Sequence, residues 1–279
     1  MAGQLFLVAT PIGNLEDLSA RALRTLETVD YIAAEDTRHT LKLLNHFGIK
    51  KEMTSYHEHN QVEKGEKILQ DLLEGKQVAL VSDAGTPGIS DPGELLVRSC
   101  HQAGVDVTAI PGPAALILGL VLSGLSTRRF VFEGFLPVQK KARQKILESL
   151  EDETRTVLFY EAPHKLRTTL QDMHQVLGNR KIVLARELTK KFEEVVSMDL
   201  EGAIHKYAME DPRGEYVLVL EGQSESSLEA RELARWEEMS LEEHLVYYEE
   251  RGMDRKEAIK QVAKDRKLPK REVYGHFHR

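Results

Sequence analysis

The stretch Val78-Ala79-Leu80-Val81-Ser82-Asp83-Ala84-Gly85-Thr86-Pro87-Gly88-Ile89-Ser90-Asp91-Pro92-Gly93 constrains the chain most. Val78 to Val81 predict a buried strand. The chain then breaks into a loop holding three glycines and two prolines, and Glu94 to Ala103 have the spacing of a helix. Strand, small-residue loop and helix are how an open α/β sheet makes a ligand crevice at its strand ends. Glycine lets a ligand approach the backbone, and proline stiffens the loop. The familiar phosphate loops are excluded. There is no Gly-Lys-Ser/Thr end, and glycines at 85, 88 and 93 do not have the Gly-x-Gly-x-x-Gly spacing. The loop has no basic residue for a phosphate, whereas Asp83 and Asp91 suit a ribose hydroxyl or a cation. The plain alternative is a well-ordered connection, but loops this dense in Gly and Pro usually bind something.

The same alternation surrounds that stretch. Leu5 to Ala9 read as a strand ending in Thr10-Pro11-Ile12-Gly13-Asn14, and Leu15, Leu18, Ala22, Leu26 and Val29 follow at helical spacing. Tyr31 to Ala34 form a second strand ending in Glu35-Asp36-Thr37-Arg38, and helices follow over Leu41 to Phe47 and around Ile68 to Leu73. Val105 to Ile110 is a strand running into the tight turn Pro111-Gly112-Pro113-Ala114-Ala115. Repeated strand and helix imply a mostly parallel sheet. Glu35, Asp36 and Arg38 stand at a strand's carboxyl end, where such folds place their sites. Salt-bridged helix capping, with Thr37 as the cap, is the alternative. In Tyr56-His57-Glu58-His59-Asn60 the His-x-His spacing chelates when it lies on a strand. No third ligand is near, so a polar binding segment and no metal are expected.

The character changes before residue 128. We expect an N-terminal α/β domain over 1–127, a second over 128–222, a linker with some helix over 223–240 and a helical module over 241–279. The second domain has strands at Phe130 to Phe135, Val157 to Tyr160, Ile182 to Ala185 and Tyr216 to Leu220, with polar turns at Glu161-Ala162-Pro163-His164 and Arg186 to Lys190. In the last module a helix, a turn at Pro269 and a basic helix make a helix-turn-helix silhouette. The longest apolar run, Ala114 to Leu125, is too short to span a bilayer, and no leader-like start is seen. The single Cys100 reads as a core residue, and a cytoplasmic protein with no membrane partner is expected. The net charge of −7 hides an asymmetry, since residues 251–279 hold ten Lys or Arg against four Asp or Glu. A basic tail on an acidic body fits nucleic-acid contact, or else a solvated helix face.

Taken together, Val8-Ala-Thr-Pro-Ile-Gly-Asn-Leu-Glu-Asp-Leu-Ser19, Ala34-Glu-Asp-Thr-Arg38 and the 82–93 loop resemble the tetrapyrrole-methylase superfamily. So do Ile110-Pro-Gly-Pro-Ala-Ala115, Phe159-Tyr-Glu-Ala-Pro163 and Glu187-Leu-Thr-Lys190, and the match is to the superfamily's small-subunit rRNA methyltransferase branch. The resemblance covers residues 4 to about 222, and the basic tail looks like that branch's helix-turn-helix module. It implies two α/β domains that bind S-adenosylmethionine in the cleft between them, usually as homodimers. It further implies methylation of the ribose 2′-hydroxyl of a cytidine in the decoding region, on rRNA or the assembled small subunit. By position, the cofactor contacts would fall on Ile12, Gly85, Thr86, Ile89, Ser90, Ala114, Ala115, Glu161, Ala162 and Gly214. The wider superfamily's Gly-x-Gly-Pro-Gly start is here Ala9-Thr10-Pro11-Ile12-Gly13, which suits the rRNA branch.

Methyl transfer from a sulfonium is an in-line displacement, so positioning dominates, and the hydroxyl proton needs an acceptor. The candidates are Glu35, Asp36, Arg38, His57, Glu58, Glu161, Glu187 and Lys190. Of these, Glu35, Asp36 or His57 would take the proton, and Arg38 or Lys190 would hold RNA phosphate. Arg128, Arg129, Lys140, Lys141 and Arg143 are expected on the RNA backbone. A tetrapyrrole methylase would need no basic tail, and a DNA-binding regulator would leave the cleft loops unexplained.

Overall fold

The computed structural model describes residues 2–277. Met1, His278 and Arg279, which end the first expected domain and the basic module, lie outside the described residues. The chain divides into two compact units, residues 1–148 with 155–221, and residues 149–154 with 222–279.

The larger unit begins with β1 (Gln4–Val8), α1 (Ala20–Thr28), β2 (Tyr31–Ala34), α2 (Thr37–His46) and β3 (Glu52–Ser55). Then come α3 (Gln61–Leu73), β4 (Val78–Val81), α4 (Glu94–Gln102), β5 (Asp106–Ile110) and α5 (Ala115–Leu122). The five strands form one sheet in the order β3-β2-β4-β1-β5, with every pairing parallel, as the βα repeat implies. β2 and β4 are buried along their whole length, because helices cover both faces of a parallel sheet. On one face Leu26, Ile32, Leu44 and Val81 pack together, and on the other Leu5, Ile68, Leu72, Leu80 and Leu96. Cys100 lies in the second group, fully buried, and burial pushes its thiol up to about 11. β3 (Glu-Met-Thr-Ser) is a short edge strand without apolar alternation, and the sequence reading has no strand there.

The second sheet is built from β6 (Phe130–Phe135), β7 (Thr156–Glu161), β8 (Lys181–Arg186), β9 (Glu194–Asp199) and β10 (Tyr216–Leu220). Its helices are α6 (Lys140–Ser149), α7 (Pro163–Leu177) and α8 (Leu200–Met209). The order is β6-β7-β10-β8-β9, and only β6 and β7 run parallel. The strands expected in the second domain therefore build a mostly antiparallel sheet. β8 returns directly into β9 as a hairpin, and β10 inserts between β7 and β8. α5 lies on this sheet as well as following β5. Its Leu116 and Leu120 join Leu158, Val183 and Val217 in one core, which ties the two sheets together. Gly119 makes that approach possible, because a Cβ there would stand 2.7 Å from Val217 Cγ1.

Arg143 is a correction. Set in a basic run, it reads as an RNA contact, but its side chain is buried and its Nη2 lies 2.6 Å from Asp172 Oδ2. It also donates to the carbonyls of Pro137 and Val138 at 2.9 Å each. It anchors α6 to α7. Arg128, Arg129, Lys140 and Lys141 are exposed.

The smaller unit contains α9 (Glu225–Glu238), α10 (Leu241–Glu249), α11 (Arg255–Asp265) and α12 (Lys270–Phe277). Leu245, Ala258, Ile259, Val262, Ala263 and Val273 make its core. Most of the segment read as a linker is helical. Trp236 near the end of α9 stacks on the buried His244, centroids 3.9 Å apart.

Candidate active site

Three loops leave the carboxyl ends of β1, β4 and β5, which are neighbours in the first sheet, and are stitched together. Thr10 and Gly85 exchange backbone hydrogen bonds of 2.8 and 3.0 Å, and the Thr86 hydroxyl donates to the Pro113 carbonyl at 3.1 Å. Gly85 adopts a left-handed φ of 85°, with a virtual Cβ only 3.4 Å from Ile12. A side chain there would be strained and would crowd the loop. Under these loops is a cavity of about 330 Å³, closed from the other side by residues of β6, β7, β8 and β10. Small side chains leave the room: Ala84, Ala114, Ala115, Ala162 and Ala185 all line it.

The walls carry an unbalanced charge. Glu35, Asp83, Asp91, Glu161, Glu187 and Glu215 line the cavity against the one lysine, Lys190. Asp83 is held in place, accepting from the Asp36 backbone N–H at 3.0 Å. Its own N–H faces Glu35 Oε2 at 3.4 Å. Burial raises the Glu35 carboxyl, and the Asp83 charge adds to that. Burial also pushes Asp91 up to about 7, helped by the charges of Glu35 and Asp83 and opposed by a hydrogen bond from Ser82. Glu161 is fully engaged, accepting from the Thr169 hydroxyl at 2.5 Å and the Ala162 N–H at 2.8 Å, with Lys165 Nζ 3.4 Å away. Lys190 Nζ sits between Glu187 at 3.0 Å and Glu215 at 3.3 Å.

Strain gathers here too. Among the described residues, four non-glycine positions have a positive φ, and Ser90 (63°), Glu187 (51°) and Thr189 (66°) lie on or beside the cavity. Strained backbone of this kind persists where the surroundings over-determine it and clusters at functional sites. α5 begins at the cavity with no side-chain cap. Tyr160 from the second sheet supplies its hydroxyl instead, accepting from the Leu116 N–H at 3.1 Å.

The family model for the tetrapyrrole (corrin/porphyrin) methylases matches residues 4–204. A protein of Halalkalibacterium halodurans named ribosomal RNA small subunit methyltransferase I is 50% identical over 276 residues, covering 99% of this chain and 95% of its own. A protein of the same name from Synechocystis is 48% identical, covering 98% and 96%. The chain belongs to the ribosomal RNA small subunit methyltransferase I family. The uroporphyrin-III C-methyltransferase of Thermus thermophilus shares the fold of this methyltransferase family, with a TM-score of 0.56 at 18% identity over 78% of this chain and 94% of its own.

As a methyltransferase of that family, the chain must accommodate a methyl donor, and its residues fit S-adenosylmethionine. A sulfonium is a cation, and the lining carboxylates outnumber the lysine. The alanines and Gly85 give a flat group room against the backbone.

Of the residues expected to hold the cofactor, Ile12, Gly85, Thr86, Ile89, Ser90, Ala114, Ala115, Glu161 and Ala162 line the cavity together. Gly214 does not. It borders a second cavity of about 470 Å³ that shares Glu187 with the first. Of the expected catalytic residues, Glu35 and Lys190 line the main cavity, whereas Asp36, Arg38 and His57 do not. Asp36 caps α2 and holds Arg38, accepting from Arg38 Nη2 at 2.7 Å, which keeps its carboxyl well below the usual range. Arg38 is otherwise exposed, and Glu58 is exposed. The His57 ring contacts Asn60 at 3.2 Å. Among the described residues, no group of three or more His, Cys, Asp or Glu is placed to hold a metal ion. Phe135, Tyr160 and Tyr216 also line the cavity, and the sequence reading does not place them there. The aromatic run of β6 and Phe159-Tyr-Glu marks the first two as strand aromatics but not as cavity walls, and nothing local marks Tyr216.

Proposed function

We propose that the chain transfers a methyl group from S-adenosylmethionine to the ribose 2′-hydroxyl of a cytidine in the decoding region of small-subunit rRNA. The observation that carries this is near full-length identity of about half to relatives named ribosomal RNA small subunit methyltransferase I, joined to a carboxylate-walled cavity suited to a sulfonium. The bound cofactor supplies an electrophilic methyl group on a positively charged sulfur. The 2′-oxygen needs only to be aligned with it and relieved of its proton.

In this reading Glu35 and Asp91 are the proton acceptors. Both line the cavity and both are raised toward neutrality by burial, which is where a general base works best. Asp36 and His57 support the site from behind, Asp36 by fixing Asp83 through its N–H. Lys190 and the exposed Arg38 face RNA phosphate. Ile12, Gly85, Thr86, Ile89, Ser90, Ala114, Ala115 and Ala162 hold the cofactor, and Glu161 fixes the start of α7 beside it. Gly214 acts one step removed, because a Cβ there would stand 2.4 Å from the Glu187 carboxylate.

The partner is the small ribosomal subunit or its rRNA, met in the cytoplasm. Among the described residues no helix is long and apolar enough to cross a membrane. A second copy covers the exposed apolar side chains Ile117, Val121 and Leu122 of α5, and the molecule works as a homodimer.

The test is transfer of labelled methyl to small subunits lacking the modification, followed by nuclease mapping. One labelled ribose is expected, with Glu35→Gln or Asp91→Asn lowering kcat by about 10²-fold or more. Label on a base, or no label while cofactor still binds, would refute the proposal.

A further inference from the structure

The hairpin tip Glu187–Glu193 joins β8 to β9 and is built more firmly than a connection requires. At its base Arg186 Nε lies 2.6 Å from Glu194 Oε2. Within the tip, the Thr189 N–H donates to the Glu193 carboxylate at 2.6 Å, and the Lys190 N–H to the Glu187 carbonyl at 2.9 Å. Leu188 is sunk in the core between the sheets. Glu187 and Thr189 are held at left-handed φ, which costs energy for any residue but glycine. The product of this construction is a phenylalanine set out in water: Phe192 is 70% exposed.

A single exposed apolar residue is ordinary. Its surroundings here are not. Phe192 borders the second cavity, whose acids are already answered. Glu187 is paired with Lys190 at 3.0 Å, Glu210 with Lys206 at 3.3 Å and Asp211 with Arg167 at 2.8 Å. Among the described residues, no carboxylate is paired with the guanidinium of Arg213, which lines the same cavity. Lys191 Nζ lies over the Phe192 ring, 5.7 Å from its centroid. An exposed aromatic ring beside two cations that have no carboxylate partner among the described residues is what an unpaired nucleotide requires. The base stacks on the ring, and the phosphate meets the charges. Glu187 belongs to both cavities, so a nucleotide here would adjoin the one being methylated.

We propose that Phe192, with Lys191 and Arg213, forms a stacking subsite for an unpaired nucleotide of the rRNA next to the methylated one. This rests on the RNA-methylation reading. The test measures methyl transfer to unmethylated small subunits by the full chain and by Phe192→Ala, Phe192→Leu and Phe192→Trp. Phe192→Ala raises KM for the subunit about 5- to 150-fold, the range expected for loss of one base–aromatic stack, with kcat held. Phe192→Trp restores KM and Phe192→Leu does not, because leucine has bulk without a π face. Cofactor affinity by calorimetry and the thermal midpoint stay at the wild-type value in all three. A KM within twofold of wild type in Phe192→Ala overturns the subsite while leaving the RNA reading intact. Full rescue by Phe192→Leu overturns it in favour of plain apolar contact. Failure of the wild-type chain to methylate subunits overturns the RNA reading, and the subsite with it.

Discussion

Asp91 shows how one residue couples the site to pH. Burial and the neighbouring charges of Glu35 and Asp83 push its carboxyl up to about 7. Between about pH 4, where an unfolded aspartate ionises, and 7, the folded protein keeps a proton that the unfolded chain has released. Unfolding then releases a proton, so this group's contribution to stability falls as pH rises and levels off above 7. Asp91→Asn removes the charge and not the shape. Its thermal midpoint is expected to gain on wild type from pH 5 to pH 8, and an advantage that shrinks over that range would contradict the account. The cofactor acts in the opposite sense. A sulfonium beside Asp91 favours the ionised form, so binding expels the proton and affinity rises with pH. Calorimetric Kd at pH 6 and pH 8 should differ by up to about tenfold in wild type and converge in Asp91→Asn.

At the scale of elements, α5 decides how the two sheets meet. Its first turn opens on the cavity and its body packs on the second sheet through Gly119 and Val217. Gly119→Val forces a Cβ to within 2.7 Å of Val217 Cγ1 and must push the helix away. Overpacking of this kind costs about 1–3 kcal/mol. Because Ala114 and Ala115 move with the helix, cofactor affinity should fall along with the denaturation midpoint. Loss of stability with unchanged affinity would show that α5 does not position the site.

The sequence made four of the first sheet's five strands legible because they read as short apolar runs, such as Val78 to Val81, whereas the polar edge strand β3 carries no such run. β9 escaped because it is an edge strand with alternate residues exposed, Glu-Val-Val-Ser-Met-Asp, and no apolar run marks it. The loops that line the cavity were legible because Gly and Pro mark their geometry locally. Arg143 was misread because charge is visible in a sequence, but the partner that neutralises it is not. For Arg143 that partner, Asp172, is 29 residues away. Tyr160 and Phe135 enter the cavity only because the second sheet packs across the first sheet's loops, which no local pattern encodes.

For the whole molecule, the distribution of charge matters more than its sum. The net charge of −7 should repel rRNA, yet the last 29 residues, 251–279, carry a net +6. In the smaller unit the cations among the described residues sit on or beside a packed set of helices. Lys270 and Arg271 open α12 and are exposed, while Val273 of the same helix is buried in the core. Replacing surface charge there should leave the scaffold folded. If the module grips RNA backbone, each phosphate contact releases counterions, and affinity falls with salt by about 0.7 in log–log slope per contact for a single strand. Lys270→Glu with Arg271→Glu should therefore weaken binding to the small subunit and lower that slope by about 1.4, the equivalent of two contacts. Cofactor affinity should not change, because the cavity lies wholly within the larger unit. An unchanged slope would mean that the basic helices are a solvated surface. The pull on rRNA would then have to come from the larger unit, where Arg128, Arg129, Lys140 and Lys141 are the exposed cations to change next.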